Sequence, residues 1–258
     1  MKRVLILLFA VFLYSPVASA EKAKPPKRIL FVGNSYTHAL RQVFPGLLKA
    51  ENQMVTVEFI TPGGAQLIKH LNTPRTMNTI LNGKWDVVIF QEQSQTPASP
   101  GPLRELFLKG VSGLHAITEK AGSRVILFNT WGYLDGDKRN FKEDTYAEMQ
   151  NRLNHGYGTA ARKLDVELAP VGDAFAEVKK INDQLWSQLY GRDGSHPSQT
   201  GAYLAAIVIY ARIFNIAPER ISFNGGLNAS TAAKLRTASA VALRNGSSTP
   251  GKFEKLQL

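Results

Sequence analysis

Two short stretches carry side chains whose type and spacing could do chemistry. In the first, Ser35 follows Gly33-Asn34 at the end of an apolar run and opens a helical pattern. A serine in the first turn of a helix has its own backbone N–H unpaired. The helix dipole favours negative charge there, and a tight glycine turn exposes the hydroxyl. That is the setting of an activated nucleophile. The same position also suits a plain N-cap, the commonest use of serine at a helix start. The second stretch is Asp193-Gly194-Ser195-His196. An aspartate and a histidine three apart in a turn can hydrogen-bond. The carboxylate then fixes the proton on one ring nitrogen and stabilises the imidazolium when the other nitrogen takes a proton. Alone, this segment also reads as a solvated turn whose aspartate caps a backbone N–H.

Other chemistries are excluded more directly. The chain has 258 residues and no cysteine, which removes disulfides, thiolate-bound metals, iron–sulfur clusters and thiol nucleophiles. Asp135-Gly136-Asp137 begins like a calcium loop. It fails because Arg139 takes the fifth position, Asn140 replaces the required glycine, and no glutamate stands at the twelfth. No His-Glu-x-x-His pair is present for zinc, and Gly63-Gly64 is not followed by Lys-Ser/Thr as a phosphate loop would be. The sequence therefore implies no metal and no cofactor. His70, His115 and His155 read as solvated or capping residues. Glu92 fits a pocket carboxylate and a loop-backbone acceptor equally.

The elements that must bring these residues together alternate along the chain. Apolar runs at 28–33, 54–60, 86–90, 124–129 and 166–171 predict five strands. Helical spacing is predicted at 36–50, 102–121, 143–164, 173–190, 198–214 and 230–245. Short strands separated by helices imply βαβ units, hence a parallel sheet with helices on both faces, an α/β/α three-layer sandwich. In such folds ligands bind at the carboxyl ends of the strands. The residues there are Asn34-Ser35, Pro62-Gly63-Gly64, 91–95 and Thr130-Trp131.

Taken in order, the blocks at 29–37 (ILFVGNSYT), Gly63-Gly64, the amides at 91–95 and 193–201 (DGSHPSQTG) resemble the SGNH/GDSL hydrolase superfamily, in the branch with a Gly-Asn-Ser motif. The runs 130–133 (TWGY) and Pro170-Val171-Gly172 are similar to that branch as well. The resemblance spans roughly 28–210. It implies a flavodoxin-like five-stranded sheet and an esterase mechanism with Ser35 as nucleophile, His196 as general base and Asp193 as its orienting partner. It also implies an oxyanion hole made of the Ser35 N–H, the Gly64 N–H (Gly63 being the neighbouring alternative) and a side-chain amide. The superfamily's usual asparagine is absent from 90–95 (FQEQSQ). Gln91, first after the strand, is expected to replace it, with Gln93 as the alternative, since a glutamine amide donates the same bond from a backbone about one methylene further back. Asn34 stands where the superfamily's name implies aspartate. Asn34, His38, Trp131 and Tyr133 are the candidates for lining a substrate pocket. Trp131 and Tyr133 fit either stacking on a sugar or packing at the rim. The implied reaction is two-step acyl transfer, falling off as pH drops through the ordinary histidine range of roughly 6 to 7.

The ends and the charge set the remaining expectations. Lys2 and Arg3, the apolar run 4–14, Pro16 and Ala18-Ser19-Ala20 read as a secretory signal over residues 1–20, too short to span a bilayer, which takes about 20 apolar residues. Residues 21–27 are expected to be a tether, 28–245 the single hydrolase domain, and 246–258 a frayed tail. A periplasmic or secreted location follows. The formal net charge is +11. No run of five basic residues and no nucleic-acid motif accompanies it, so the charge reads as a solvated basic surface or as attraction to anionic glycans or lipid headgroups, not as nucleic-acid binding. Export and the two aromatics favour O-acyl groups on carbohydrate as substrate. A lipid ester or thioester is the rival, and a glycan-binding protein that has lost turnover is the reading from another class.

Overall fold

The computed structural model describes residues 25–246. The expected signal segment and all but the first residue of the expected tail lie outside them. Five strands form one all-parallel sheet: β1 (Arg28–Val32), β2 (Thr56–Ile60), β3 (Val87–Phe90), β4 (Arg124–Asn129) and β5 (Glu167–Pro170), in the order β2-β1-β3-β4-β5. The side chains alternate strictly. Ile29, Phe31, Val87, Ile89, Ile126 and Phe128 join one core, and Leu30, Val32, Val88, Phe90, Val125 and Leu127 the other. Strands apolar on both sides are what a sheet covered by helices on both faces requires. The three-layer α/β/α architecture is therefore the one the alternation of runs implied.

The helices are α1 (Ser35–His38), α2 (Phe44–Ala50), α3 (Leu67–Leu71), α4 (Pro74–Asn82), α5 (Pro102–Lys120), α6 (Tyr146–Leu164), α7 (Val171–Ile181), α8 (Asp183–Ser187), α9 (Gln199–Phe214) and α10 (Ala229–Gly246). Two expected helices are broken. The pattern at 36–50 splits because Pro45, lacking an N–H, fits only the first turn of a new helix, α2. The pattern at 173–190 splits at Asn182, whose side chain accepts from the Leu185 N–H and caps α8. The short helices α3 and α4 were not expected, since neither carries a long apolar period. Among the described residues, no helix is long and apolar enough to cross a membrane.

The strand order places the chemistry. β1 lies between β2 and β3, so the chain leaves β1 toward one edge and returns on its other side. Adjacent strands whose connections diverge leave a crevice at their carboxyl ends. The segments after β1 and β3 border that crevice.

Candidate active site

Gly33 ends β1 in a place with no room for a side chain: a Cβ there would overlap Thr37 Oγ1 and Gln91 Oε1. This close approach lets the chain turn sharply into α1. Asn34 caps the turn. Its Oδ1 accepts from the Tyr36 N–H (3.1 Å) and its Nδ2 donates to Ala65 O (3.0 Å). Asn34 is buried and fully engaged, so it does not line a pocket as expected. Its task is to lock the turn and tie it to the loop after β2. Ser35 is left as the first residue of α1, half-buried, and among the described residues its N–H has no partner.

The Ser35 hydroxyl lies 2.9 Å from His196 Nε2, although 161 positions separate the residues. His196 Nδ1 lies 2.5 Å from Asp193 Oδ2. The other oxygen, Oδ1, accepts from the backbone N–H groups of Ser195 (3.0 Å) and His196 (2.9 Å). Burial works to raise the Asp193 carboxyl, but the bond from the His196 ring and the two backbone bonds outweigh it and hold it below the usual carboxylate range. An ionised Asp193 fixes the proton on Nδ1 and leaves Nε2 as an acceptor for the serine proton. The structure thus brings together the three side chains that the two sequence blocks singled out.

Pro62 to Ala65 form a turn closed by a bond from the Ala65 N–H to Pro62 O (3.2 Å). Gly64, third in that turn, has φ +65°, the left-handed value such a turn needs there and glycine supplies. Both glycines are exposed, and among the described residues neither N–H is used. They are free to donate to an incoming group.

Gln91 does not face that group. It has no exposed surface. Its Oε1 accepts from the Asn34 N–H (3.0 Å) and the Thr37 hydroxyl (2.7 Å), and its amide nitrogen donates to the Glu92 carbonyl. Its backbone N–H still donates to Val32 O (3.0 Å), so the residue continues the sheet and its side chain lies beneath the nucleophile turn. The expected role as a third donor is therefore withdrawn from Gln91. Gln93, the alternative, lies two residues further into the loop and is half-buried. Its Oε1 accepts from the N–H groups of Gln95 (2.9 Å) and Thr96 (3.1 Å) and from the Thr96 hydroxyl (3.0 Å), which fixes the amide's orientation. Its nitrogen makes only two long bonds, both of 3.3 Å, to Ser94 Oγ and Gln95 Oε1.

The remaining pocket candidates divide. Trp131 is completely buried. It stacks between Tyr36 (4.7 Å) and Phe175 (4.4 Å), and its Nε1 donates to Ser195 O (3.0 Å). It supports the Asp193–His196 loop from below and offers no face to a sugar. Tyr133 is half-buried, bonded to Ser94 Oγ (2.7 Å), and borders a cavity of about 420 Å³ with Gln95, Lys138, Arg139 and Asp193. That cavity adjoins the Ser35–His196–Asp193 chain. His38 is exposed, with Nδ1 3.2 Å from Thr61 Oγ1. A larger cleft of about 720 Å³, bordered by Tyr146 and Asp173, shares no residue with these groups.

Two further residues hold the arrangement: Tyr36, which the sequence did not single out, and His70, which is buried and not the solvated or capping residue expected. Tyr36, next to Ser35, bonds Ser195 Oγ (2.7 Å). His70 on α3 is buried, and burial pushes its imidazole down. As a neutral ring it donates from Nε2 to Gly33 O (2.8 Å) and accepts at Nδ1 from Thr76 Oγ1 (3.2 Å). Nothing in the local sequence marked the role of Tyr36, and the short α3 gave no sign that the His70 ring faces inward. Among the described residues, no group of three or more His, Asp or Glu could hold a metal ion.

No family model matches the sequence, and no curated protein does. Solved structures do. A protein from Slackia heliotrinireducens described as an SGNH hydrolase is 30% identical, covering 71% of this chain and 96% of its own, with a TM-score of 0.60. A DUF4886 family protein from Bacteroides uniformis is 16% identical over 84% of this chain and 95% of its own, with a TM-score of 0.72. The acetyl xylan esterase AlAXEase is 15% identical over 72% of this chain and 98% of its own, with a TM-score of 0.57. These last two are similar in fold.

Proposed function

The chain belongs to the SGNH hydrolase superfamily, and on that premise we propose that it is a serine esterase that removes O-acyl groups, O-acetyl groups foremost, from carbohydrate. The observation that carries this reading is the unbroken line of bonds from Ser35 Oγ through His196 to Asp193, 2.9 and 2.5 Å long. A hydroxyl so placed beside an imidazole oriented by a carboxylate is a nucleophile with its base.

In the first step Ser35 Oγ attacks the ester carbonyl carbon while its proton moves to His196 Nε2. The carbonyl oxygen gains the negative charge and meets the N–H groups of Ser35 and Gly64, with the Gln93 amide as the third donor. Donors already aimed where charge develops are worth more than donors that must reorganise, since the site then pays nothing at the moment of reaction. The tetrahedral intermediate collapses, the alcohol departs with the proton from His196, and an acyl group remains on Ser35. Water repeats the sequence: it gives a proton to His196, attacks the acyl carbon, and releases the acid as Ser35 recovers its proton. Atoms balance as one ester and one water giving one alcohol and one acid.

The carbohydrate substrate is favoured by the sequence features of an exported protein at residues 1–20, and by the likeness in fold to an acetyl xylan esterase. Tyr133, Lys138 and Arg139, around the cavity beside Asp193, are the side chains available to a sugar. The test is labelling with a serine-reactive fluorophosphonate and turnover of p-nitrophenyl acetate, both compared with Ser35→Ala. Labelling and turnover that vanish in the variant support the esterase. Glycan binding by a wild-type protein that neither labels nor turns over overturns it. Acetate released from a panel of acetylated sugars then names the substrate.

A further inference from the structure

We infer that Glu92 is a positioning residue of this site, its buried carboxylate binding the loop that carries Gly64 to the loop that carries Gln93. The inference rests on the acyl-transfer reading above. Glu92 has no exposed surface. Both of its carboxylate oxygens lie 3.2 Å from the Leu67 N–H, at the start of α3, and Oε1 also accepts from the Gln93 N–H at 2.6 Å. Its own N–H donates to Tyr157 Oη on α6 at 3.1 Å. Leu67 is three residues from Gly64, and Gln93 is adjacent. One side chain therefore sets the height of two donors relative to each other. Placement of reacting groups matters steeply: about 1 Å of misplacement can lower a rate 100-fold.

The surroundings make this carboxylate an unusual choice. Among the described residues no cation is paired with it. The titratable group that faces it is Tyr157 on α6, whose phenol burial pushes upward. Burial pushes the Glu92 carboxyl up to about 7, against the lowering effect of the Gln93 and Leu67 bonds. Ionised, it opposes folding, because a buried charge without a counterion is costly. What the charge supplies is stronger bonds: an ionised acceptor holds an N–H about twice as strongly as a neutral one. A residue that strains the fold to hold two loops beside the reacting atoms fits a demand of function more than of stability.

The experiment measures kcat and KM for p-nitrophenyl acetate between about pH 5.5 and 9 in the wild type, Glu92→Gln and Ser35→Ala, with the melting temperature of each. With the Glu92 carboxyl pushed up to about 7, its protonation should weaken both loop bonds and lower wild-type kcat on the acid side, a contribution absent from Glu92→Gln. Glu92→Gln is expected to lower kcat about tenfold at pH 8 and leave KM within twofold, and its ratio to wild-type kcat should rise toward one at pH 5.5, where wild-type Glu92 is protonated. Its melting temperature at pH 8 should equal or exceed that of the wild type. A Glu92→Gln kcat at pH 8 within twofold of wild type overturns the inference. Turnover that survives Ser35→Ala overturns the esterase reading instead.

Discussion

The phenol oxygen of Tyr36 lies 2.7 Å from the Ser195 hydroxyl. The residue after the proposed nucleophile is thus bonded to the residue before the proposed base. The Tyr36 ring stacks on Trp131 at an interplanar angle of 3° and meets the His196 ring edge-on at 5.3 Å. Trp131 in turn holds Ser195 O, and the Leu134 N–H donates to Gly194 O at 2.8 Å. The loop bearing His196 is half exposed, so this buried aromatic floor is what gives it a fixed height above Ser35.

Tyr36→Phe keeps the stack and removes one bond. A neutral hydrogen bond is worth about 1 kcal/mol, so kcat should fall about three- to tenfold with the melting temperature little changed. Ser195→Ala should give a similar loss. Because the two groups share one bond, the double variant should lose no more than either single one. Additive losses in that kinetic cycle would show that the bond does not link the two loops.

Asp193→Asn tests the orienting carboxylate. The asparagine can still accept the two backbone bonds but no longer stabilises an imidazolium, and it permits the wrong ring tautomer. A fall in kcat of about 10³ to 10⁴ is expected, as in serine hydrolases whose aspartate is replaced by asparagine. Fluorophosphonate labelling should slow in parallel. A variant within tenfold of wild type would mean that His196 does not depend on Asp193.

The two glutamines should separate cleanly. Gln93→Ala is expected to lower kcat by about 10² to 10³ with a small change in KM, since an oxyanion donor acts mainly on the transition state. Gln91→Ala should instead destabilise the protein by roughly 3 kcal/mol, because the Asn34 N–H and the Thr37 hydroxyl lose a buried acceptor. Kinetics and a denaturant melt on both variants decide the assignment; a catalytic loss confined to Gln91→Ala would reverse it.

The difference between those two residues shows where sequence reading reaches and where it stops. The strands were legible because β1, β3 and β4 are apolar on both faces and the edge strand β2 alternates, with Thr56 and Glu58 exposed. Ser35, Asp193 and His196 were legible because each sits in a turn of distinctive residues at a strand or helix end. Gln91 was misplaced because the end of β3 is not where the apolar run ends: its N–H continues the ladder to Val32 O, which turns the side chain under Gly33. Trp131 was misplaced for a related reason. An aromatic residue after a strand can turn toward solvent or under the sheet's end, and only the presence of Tyr36 and Phe175 on either side decides it. Short helices such as α3 have too few residues for a period to register, so the His70–Gly33 link had no trace in the sequence, and Glu92 could be read as a loop-backbone acceptor without its partner Leu67 being legible.

Two buried acids predict how stability changes with pH. Asp173, in the first turn of α7, accepts from Asn154 Nδ2 at 2.7 Å, yet burial pushes its carboxyl up to about 6. Unfolded, an aspartate titrates near 3.9 and a glutamate near 4.3. Between those values and the raised ones of Asp173 and Glu92, the folded chain holds protons that the unfolded chain has released, so stability falls as pH rises through that window and levels off above about 7. Asp144 and Asp193 shift the other way: bonds from Arg152, and from the His196 ring with the Ser195 and His196 backbone, outweigh burial. Their contribution is lost only as pH drops toward their lowered values, below the window of Asp173. Asp173→Asn removes one of the two raised acids. It should melt higher than wild type at pH 8, and the gap should narrow at pH 5, where wild-type Asp173 is already protonated. Melting curves at the two pH values check this, and a gap of equal size at both would mean that Asp173 does not titrate in the window its burial implies.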